Sequence, residues 1–141
     1  TFTAVPPLPD GKVAKQVVPG STHTMILAED GTVFACGYNQ DGQLGLGDDD
    51  NRNTFTAVPP LPDGKVAKQV VAGENHTMIL AEDGTVFACG RNGNGQLGLG
   101  DNDDNRSTTL LCHSSVLTIL TLYLAVHVWH QIHLLFLVTM T

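Results

Sequence analysis

Apolar residues in this chain come in short unbroken runs separated by polar turns. The run His-Thr-Met-Ile-Leu-Ala-Glu at 23–29 and the run Thr-Val-Phe-Ala-Cys at 32–36 flank Asp30-Gly31, and the same order returns at 76–82 and 85–89 around Asp83-Gly84. An Asp-Gly pair between two apolar runs predicts a β-hairpin, closed by a type I′ turn with positive φ at both central residues. The runs are continuous rather than alternating, so both faces of the sheet should be covered. A shorter run, Lys15–Val18 and again Lys68–Val71, precedes each hairpin and stops before a glycine. After each hairpin comes a glycine-rich loop, Gly37–Gly47 and Gly90–Gly100, in which Leu44 and Leu46 are placed to pin the loop to a core. The run Val-Pro-Pro-Leu-Pro at 5–9 suits an edge strand entering a turn, because proline donates nothing to a ladder. About four short strands per unit is the size of one propeller blade.

The pattern repeats with a period of 53 residues, and residues 1–50 differ from 54–103 at seven positions. They are Pro19/Ala72, Ser21/Glu74, Thr22/Asn75, Tyr38/Arg91, Gln40/Gly93, Asp41/Asn94 and Asp49/Asn102. A period of this length signals a solenoid, a propeller or an array. The expected organisation is one repeat over 1–53, a second over 54–106, and an apolar tail over 107–141. The chain opens at Thr1, already inside a repeat, and is expected to be a piece of a longer protein.

Three successive motifs carry a family resemblance. In the second copy they run through Val71, Gly73, His76, Thr77 and Leu80; then Asp83, Gly84, Val86 and Gly90; then Asn92, Gly95, Gln96, Leu97 and Gly98. The first copy has Val18, Gly20, His23, Thr24, Leu27, Asp30, Gly31, Val33, Gly37, Asn39, Gly42, Gln43, Leu44 and Gly45 in the same places, with Pro19 where the family has a small residue. This resembles the repeat of the regulator of chromosome condensation family, over about residues 1–106. The resemblance implies an all-β fold: a partial β-propeller of two four-stranded blades, with the motif residues serving structure. Two copies cannot close such a ring, so further blades or further copies of the chain must complete it.

The formal charge of −7 argues against a nucleic-acid surface, which needs clustered Lys and Arg. Cys36, Cys89 and Cys112 form no C-x-x-C pair and read as buried free thiols, which favours a reducing compartment, cytoplasmic or nuclear. No cofactor, metal or catalytic constellation is expected. His23 and His76 lie within the family motif and read as structural hydrogen-bonding groups. Asn39, Asp41, Gly42 and Asp48 partly match a calcium loop, but Gly37 stands at the first ligand position and the last is Asp rather than Glu, so solvated turns are the better account. Tyr38, Gln40 and Asp41, with Arg91, Gly93 and Asn94, vary between copies and form the candidate partner-facing loop.

No charged residue follows Arg106. Leu110 aligns with Thr56 if one residue is inserted after Asp101. A one-base shift in codons for Thr-Ala-Val-Pro-Leu-Leu yields Leu-Leu-Cys-His-Ser-Ser, the sequence at 110–115, so a frame-shifted third repeat is the preferred reading of the tail. A membrane span over 116–138 is the alternative, opposed by His127, His130, Gln131 and His133. A membrane contact follows only from that alternative. The expected function is a protein-interaction scaffold or regulatory module and not an enzyme. Guanine-nucleotide exchange on a small GTPase is the alternative implied by the resemblance, and a truncated fragment without function is a third.

Overall fold

The structure, a computed structural model of the chain, describes residues 1–103 and 106–112, the latter stretch as a backbone path. It contains two antiparallel four-stranded meanders. The first joins β1 (Ala14–Pro19), β2 (His23–Ala28), β3 (Val33–Gly37) and β4 (Arg52–Ala57) in that spatial order. The second joins β5 (Ala67–Ala72), β6 (His76–Ala81), β7 (Val86–Gly90) and β8 (Arg106–Cys112) likewise. The β-branched and aromatic content of these runs, bounded by glycines, favours the extended chain.

The fourth strand of the first sheet comes from the second copy of the repeat. β4 crosses from the end of copy one into Thr54–Ala57, and pairs Thr56 with Ala35 and Ala57 with Phe34. The first sheet is therefore latched by the opening residues of the second copy. In the second sheet Leu110 pairs with Ala88, the place Thr56 takes against Ala35, and Arg106 with Gly90, the place Arg52 takes against Gly37, so the whole of β8 is offset by one residue relative to the 53-residue period. Thr1–Ala4 repeats the sequence of Thr54–Ala57 but forms no strand, and Phe2 stands fully exposed. The expected membrane span and the histidines of the tail lie outside the described residues. Among the described residues no helix is long and apolar enough to cross a membrane.

Two local expectations are corrected. Gly31 has a positive φ of 84° and Asp30 does not, so Asp30-Gly31 is not a type I′ turn. The Gly31 amide donates to Ala28 O at 3.1 Å and the Ala28 amide to Thr32 O at 2.8 Å. The loop is thus three residues long, Glu29 to Gly31, with the glycine last, and that geometry leaves Asp30 free to accept the Thr32 amide on Oδ1 at 3.1 Å. Positive φ at both residues occurs instead at Asp10-Gly11, 54° and 65°, and at Asp63-Gly64, 57° and 67°. The proline run is likewise not a strand. Its second copy begins where β4 stops, after the Val58 amide makes a last bond of 2.8 Å to Val33 O, because the prolines have no amide to extend the ladder.

The core lies between the two sheets. Met25, Leu27, Val33, Ala35 and Leu44 of the first meet Val70, Ile79, Ala81 and Phe87 of the second, with Val58 and Leu61 closing the margin. The far side of β2 and β3 carries a smaller cluster, Ile26, Ala28 and Phe34, packed against Leu8 and Phe55. Both faces of β2 are buried as its unbroken apolar run requires. In β6 the face toward the first sheet is buried while His76, Met78 and Leu80 on the other are only half-buried.

Candidate functional site

His23 opens β2 and is 3% exposed. Strand alternation sends its ring toward the second sheet, where Nε2 lies 2.9 Å from the Thr77 hydroxyl. That hydroxyl donates its proton to Gln43 O at 2.8 Å, so Nε2 must be the donor to Thr77. Nδ1 is then an unprotonated nitrogen with no hydrogen-bond partner among the described residues. Cys89 Sγ approaches the same Gln43 oxygen at 3.5 Å. One loop carbonyl of the first copy thus gathers two side chains of the second. Burial, and next the neighbouring His76, push the His23 pKa below its ordinary value of 6.5. Burial pushes the Cys89 thiol up to about 12, and also raises Cys36. Cys89 is buried, whereas Cys36 is only half-buried because its face of the first sheet lacks a second sheet. Both are free thiols; the side chain of Cys112 is outside what is described.

The histidine gives a pH dependence of definite sign. Its folded-state pKa is depressed, so the unfolded chain takes up the proton first, and stability is full above about pH 6.5 and falls below it. His23→Gln should therefore lose less stability than the unsubstituted chain between pH 7.5 and pH 5.5, as read from urea midpoints. An equal loss in both would remove His23 as the cause.

The motif glycines adjoin this histidine. A Cβ on Gly20 would lie 2.6 Å from His23 Cε1 and 2.8 Å from Gly73 O. On Gly73 it would meet the His76 ring at 2.2 Å. Gly37 and Gly90 hold φ of 111° and 103° as β3 and β7 turn into their loops. Those loops are organised by a buried asparagine. Asn39 Nδ2 donates to Asp48 O at 2.9 Å and its Oδ1 accepts the Leu44 amide at 2.9 Å; Asn92 repeats both bonds with Asp101 and Leu97 at 3.0 Å. Gly42, Gln43, Leu44 and Gly45 fold over this centre, as do Gly95, Gln96, Leu97 and Gly98, and Leu44 and Leu97 are fully buried. In the partial calcium loop the Asp48 carboxylate contacts Arg52 at 2.6 Å and Asn39 Nδ2 at 3.2 Å. Arg52 first, then burial acting the other way, sets its pKa, which is lowered overall. Among the described residues no group of three or more His, Cys, Asp or Glu is placed to hold a metal ion.

Asp30 and Asp83 sit at the opposite end of each sheet. The Lys12 ammonium, 2.6 Å away, holds the Asp30 carboxyl at about 2, and Lys65 holds Asp83 well below the usual carboxylate range. These pairs are exposed, so they add little to stability.

The seven positions that differ between copies converge at one end. Positions 19, 21 and 22 lie at the β1–β2 connection, and 38, 40, 41 and 49 in the β3–β4 loop. A backbone bond from the Tyr38 amide to Thr22 O, 3.0 Å, ties the two connections together, and Arg91 to Asn75 does so at 2.8 Å in the second sheet. Tyr38 stands exposed with its hydroxyl 2.8 Å from Gln40 Oε1; Gln40 is exposed and Asp41 half-buried. Arg91 and Asn94 are exposed and Gly93 half-buried. Variation by itself located these residues in loops; their convergence from two separate loops depends on the meander. The contact of His23 with Thr77 also went unread. It was implied by the His-Thr dipeptide, since strand alternation puts the two residues on opposite faces and the next copy presents its Thr to the previous His.

Comparison with known proteins agrees with this geometry. The family model "Regulator of chromosome condensation (RCC1) repeat" matches residues 30–80 and 83–112, and a second model of the same repeat matches 14–43 and 67–96. The chain belongs to the RCC1 repeat family. Among relatives of this RCC1-repeat chain, the X-linked retinitis pigmentosa GTPase regulator of Homo sapiens is 45% identical over 80 residues, 57% of this chain and 8% of its own length. The secretion-regulating guanine nucleotide exchange factor of Bos taurus is 41% identical over 85 residues, 60% of this chain and 18% of its own. The RCC1-repeat chain thus spans less than a fifth of either relative. The crystal structure of human WBSCR16 superposes with a TM-score of 0.67 at 26% identity, covering 73% of this chain and 26% of that one. Yeast RCC1 (Prp20), solved bound to Kap60, gives 0.66 at 23% identity over 77% and 26%. The fold is that of a partial β-propeller.

Proposed function

We propose that this chain is a protein-binding module of a regulatory protein, and that the tied loops at one end of each sheet choose the partner. The observation that supports this reading is the gathering of all seven differences between the copies at that end, while the hairpin end stays identical. A framework held constant beneath a varying surface is how repeat scaffolds acquire partners. The work is binding rather than covalent catalysis, which fits a chain in the cytoplasm or nucleus. The motif residues serve the blade, and Tyr38, Gln40, Asp41, Arg91, Gly93 and Asn94 the partner.

A small GTPase is the partner class to test first, because relatives of this chain are named a GTPase regulator and a guanine nucleotide exchange factor. Binding to a panel of small GTPases would be measured for the chain, for a variant with Tyr38→Arg, Gln40→Gly and Asp41→Asn, and for Lys12→Ala at the hairpin end. The loop variant should shift the affinity by about tenfold, and Lys12→Ala should leave it alone. Equal affinity in all three would sink the loop assignment. Release of labelled GDP, followed in parallel, separates the two readings: binding without acceleration fits a scaffold, acceleration fits an exchange factor.

A further inference from the structure

β4 leads toward β5 through Val58-Pro59-Pro60-Leu61-Pro62, and the same five residue types stand at 5–9. Proline fixes its own φ near −65° and pushes the residue before it toward extended ψ, so this composition favours a polyproline II helix. Leu61 has φ −60° and ψ 147°, and Leu8 has φ −61° and ψ 148°, both in that region. Such a helix turns once in three residues and therefore has three ridges. Val58 and Leu61 share one ridge; both are buried, in the cluster that joins the two sheets. Pro59 and Pro62 share the second ridge and Pro60 stands on the third, and all three prolines are exposed. The inward ridge is aliphatic and held by the fold, while the two outward ridges are proline. The segment lies between two sheets of the same chain, β4 before it and β5 after it, so its exposure is set by neighbours that are present. It is also fixed at each end. The Val58 amide donates to Val33 O at 2.8 Å and the Lys65 amide to Pro62 O at 3.2 Å. A segment already held in this shape loses little conformational freedom when a partner binds it.

We propose that Val58–Pro62 is a docking ridge for a partner domain that reads polyproline II helices through an aromatic-lined groove. Such grooves bind segments with the spacing P-x-x-P in this conformation. Pro59 and Pro62 have that spacing and stand about 9 Å apart along the helix axis. A groove covers two ridges of a three-sided helix and leaves the third, here Val58 and Leu61, in its own core. The charges beside the ridge narrow the kind of groove. Asp63 follows Pro62 and is exposed, and the Lys65 ammonium is tied to Asp83. An acidic-rimmed groove that needs a free basic residue next to the prolines finds none there. A groove of the WW kind, which takes the proline rings between aromatic side chains, has all it needs. Pro59 and Pro60 border a small cleft with Asp30, Gly31 and Thr32, which puts the ridge at the hairpin end. None of the seven positions that differ between the copies falls in the ridge, so it is separate from the loops proposed above to choose a partner.

The test titrates a panel of isolated, isotope-labelled WW domains with the full 141-residue chain and follows the resonances of the groove aromatics by NMR. At least one domain should shift at its groove tryptophan, and replacing that tryptophan by alanine should abolish the interaction. Because the segment occurs twice, Pro6→Ala, Pro9→Ala, Pro59→Ala and Pro62→Ala are combined in one chain. This variant should bind at least about tenfold more weakly with an unchanged circular dichroism spectrum. If its spectrum changes, Pro7→Gln with Pro60→Gln takes its place, at exposed positions off the buried ridge. A panel in which no groove shifts, full affinity in a folded proline variant, or binding that survives loss of the groove tryptophan would each overturn the proposal.

Discussion

Phe87→Ala is expected to lower the unfolding free energy by about 3–5 kcal/mol. Phe87, the second residue of β7, is fully buried and paired across the ladder with Ile79 on one side and Leu111 on the other. Its ring belongs to the cluster that joins the sheets, so truncation leaves a cavity that two interlocked sheets cannot collapse to fill. Small domains rarely hold more than about 5–15 kcal/mol in total, so the variant should be partly unfolded at room temperature. Urea denaturation measures this directly. The repeat supplies its own control. Val70→Ala removes two buried carbons, about 1.6 kcal/mol, whereas Val17→Ala, the same residue in the same strand place, should stay within about 0.5 kcal/mol. Equal losses at the two valines would contradict the packing of the second sheet on the first.

Gly90→Ala is the second large effect. Its φ of 103° belongs to glycine, and a Cβ would stand 2.4 Å from Asn75 O and 2.7 Å from His76 Cα. Those are backbone atoms, held by the β6–β7 ladder, and cannot swing aside as a side chain would. Conformational strain costs about 1–3 kcal/mol and the overlap about 1–3 kcal/mol more. Gly84→Ala separates the two, because Gly84 has a φ of 86° with nothing within 4 Å of the added carbon. It should show the strain alone. The Gly90 variant should in addition lose hydrogen-exchange protection at Arg91, whose amide bonds Asn75 O across the two loops at 2.8 Å. Unchanged protection there would mean that the loops are held together by something other than this close backbone approach.

The hairpins, the glycine loop and the blade-like unit were legible because each has a local cause. The unbroken run His23–Ala28 announced a strand buried on both faces, and Leu44 announced the pinned loop. The turn at Asp30-Gly31 was misread because Asp-Gly is compatible with two hairpin geometries, and the choice rests on whether the loop holds two residues or three. The pair that does take positive φ twice, Asp10-Gly11, is preceded by Pro9, whose carbonyl accepts the Lys12 amide at 3.3 Å. The site was less legible than the frame. Tyr38 and Thr22 are 16 positions apart in sequence, and only the meander register that pairs His23 with Gly37 sets their loops side by side. The composition of each loop carries no trace of that pairing. The same holds for Val17 and Val70, identical in type and neighbours yet opposite in exposure, since burial here is decided by which sheet lies alongside.

The borrowed fourth strand has a consequence for how such a chain changes in length. Because β4 is supplied by the opening of the next copy, the segment that is duplicated and the sheet that folds are out of phase. A tandem gain or loss of 53 residues preserves every latch wherever its breakpoints fall, since each junction still presents a donor strand to the β3 before it. Copy number can then drift in single steps without passing through a chain whose interior sheets are incomplete.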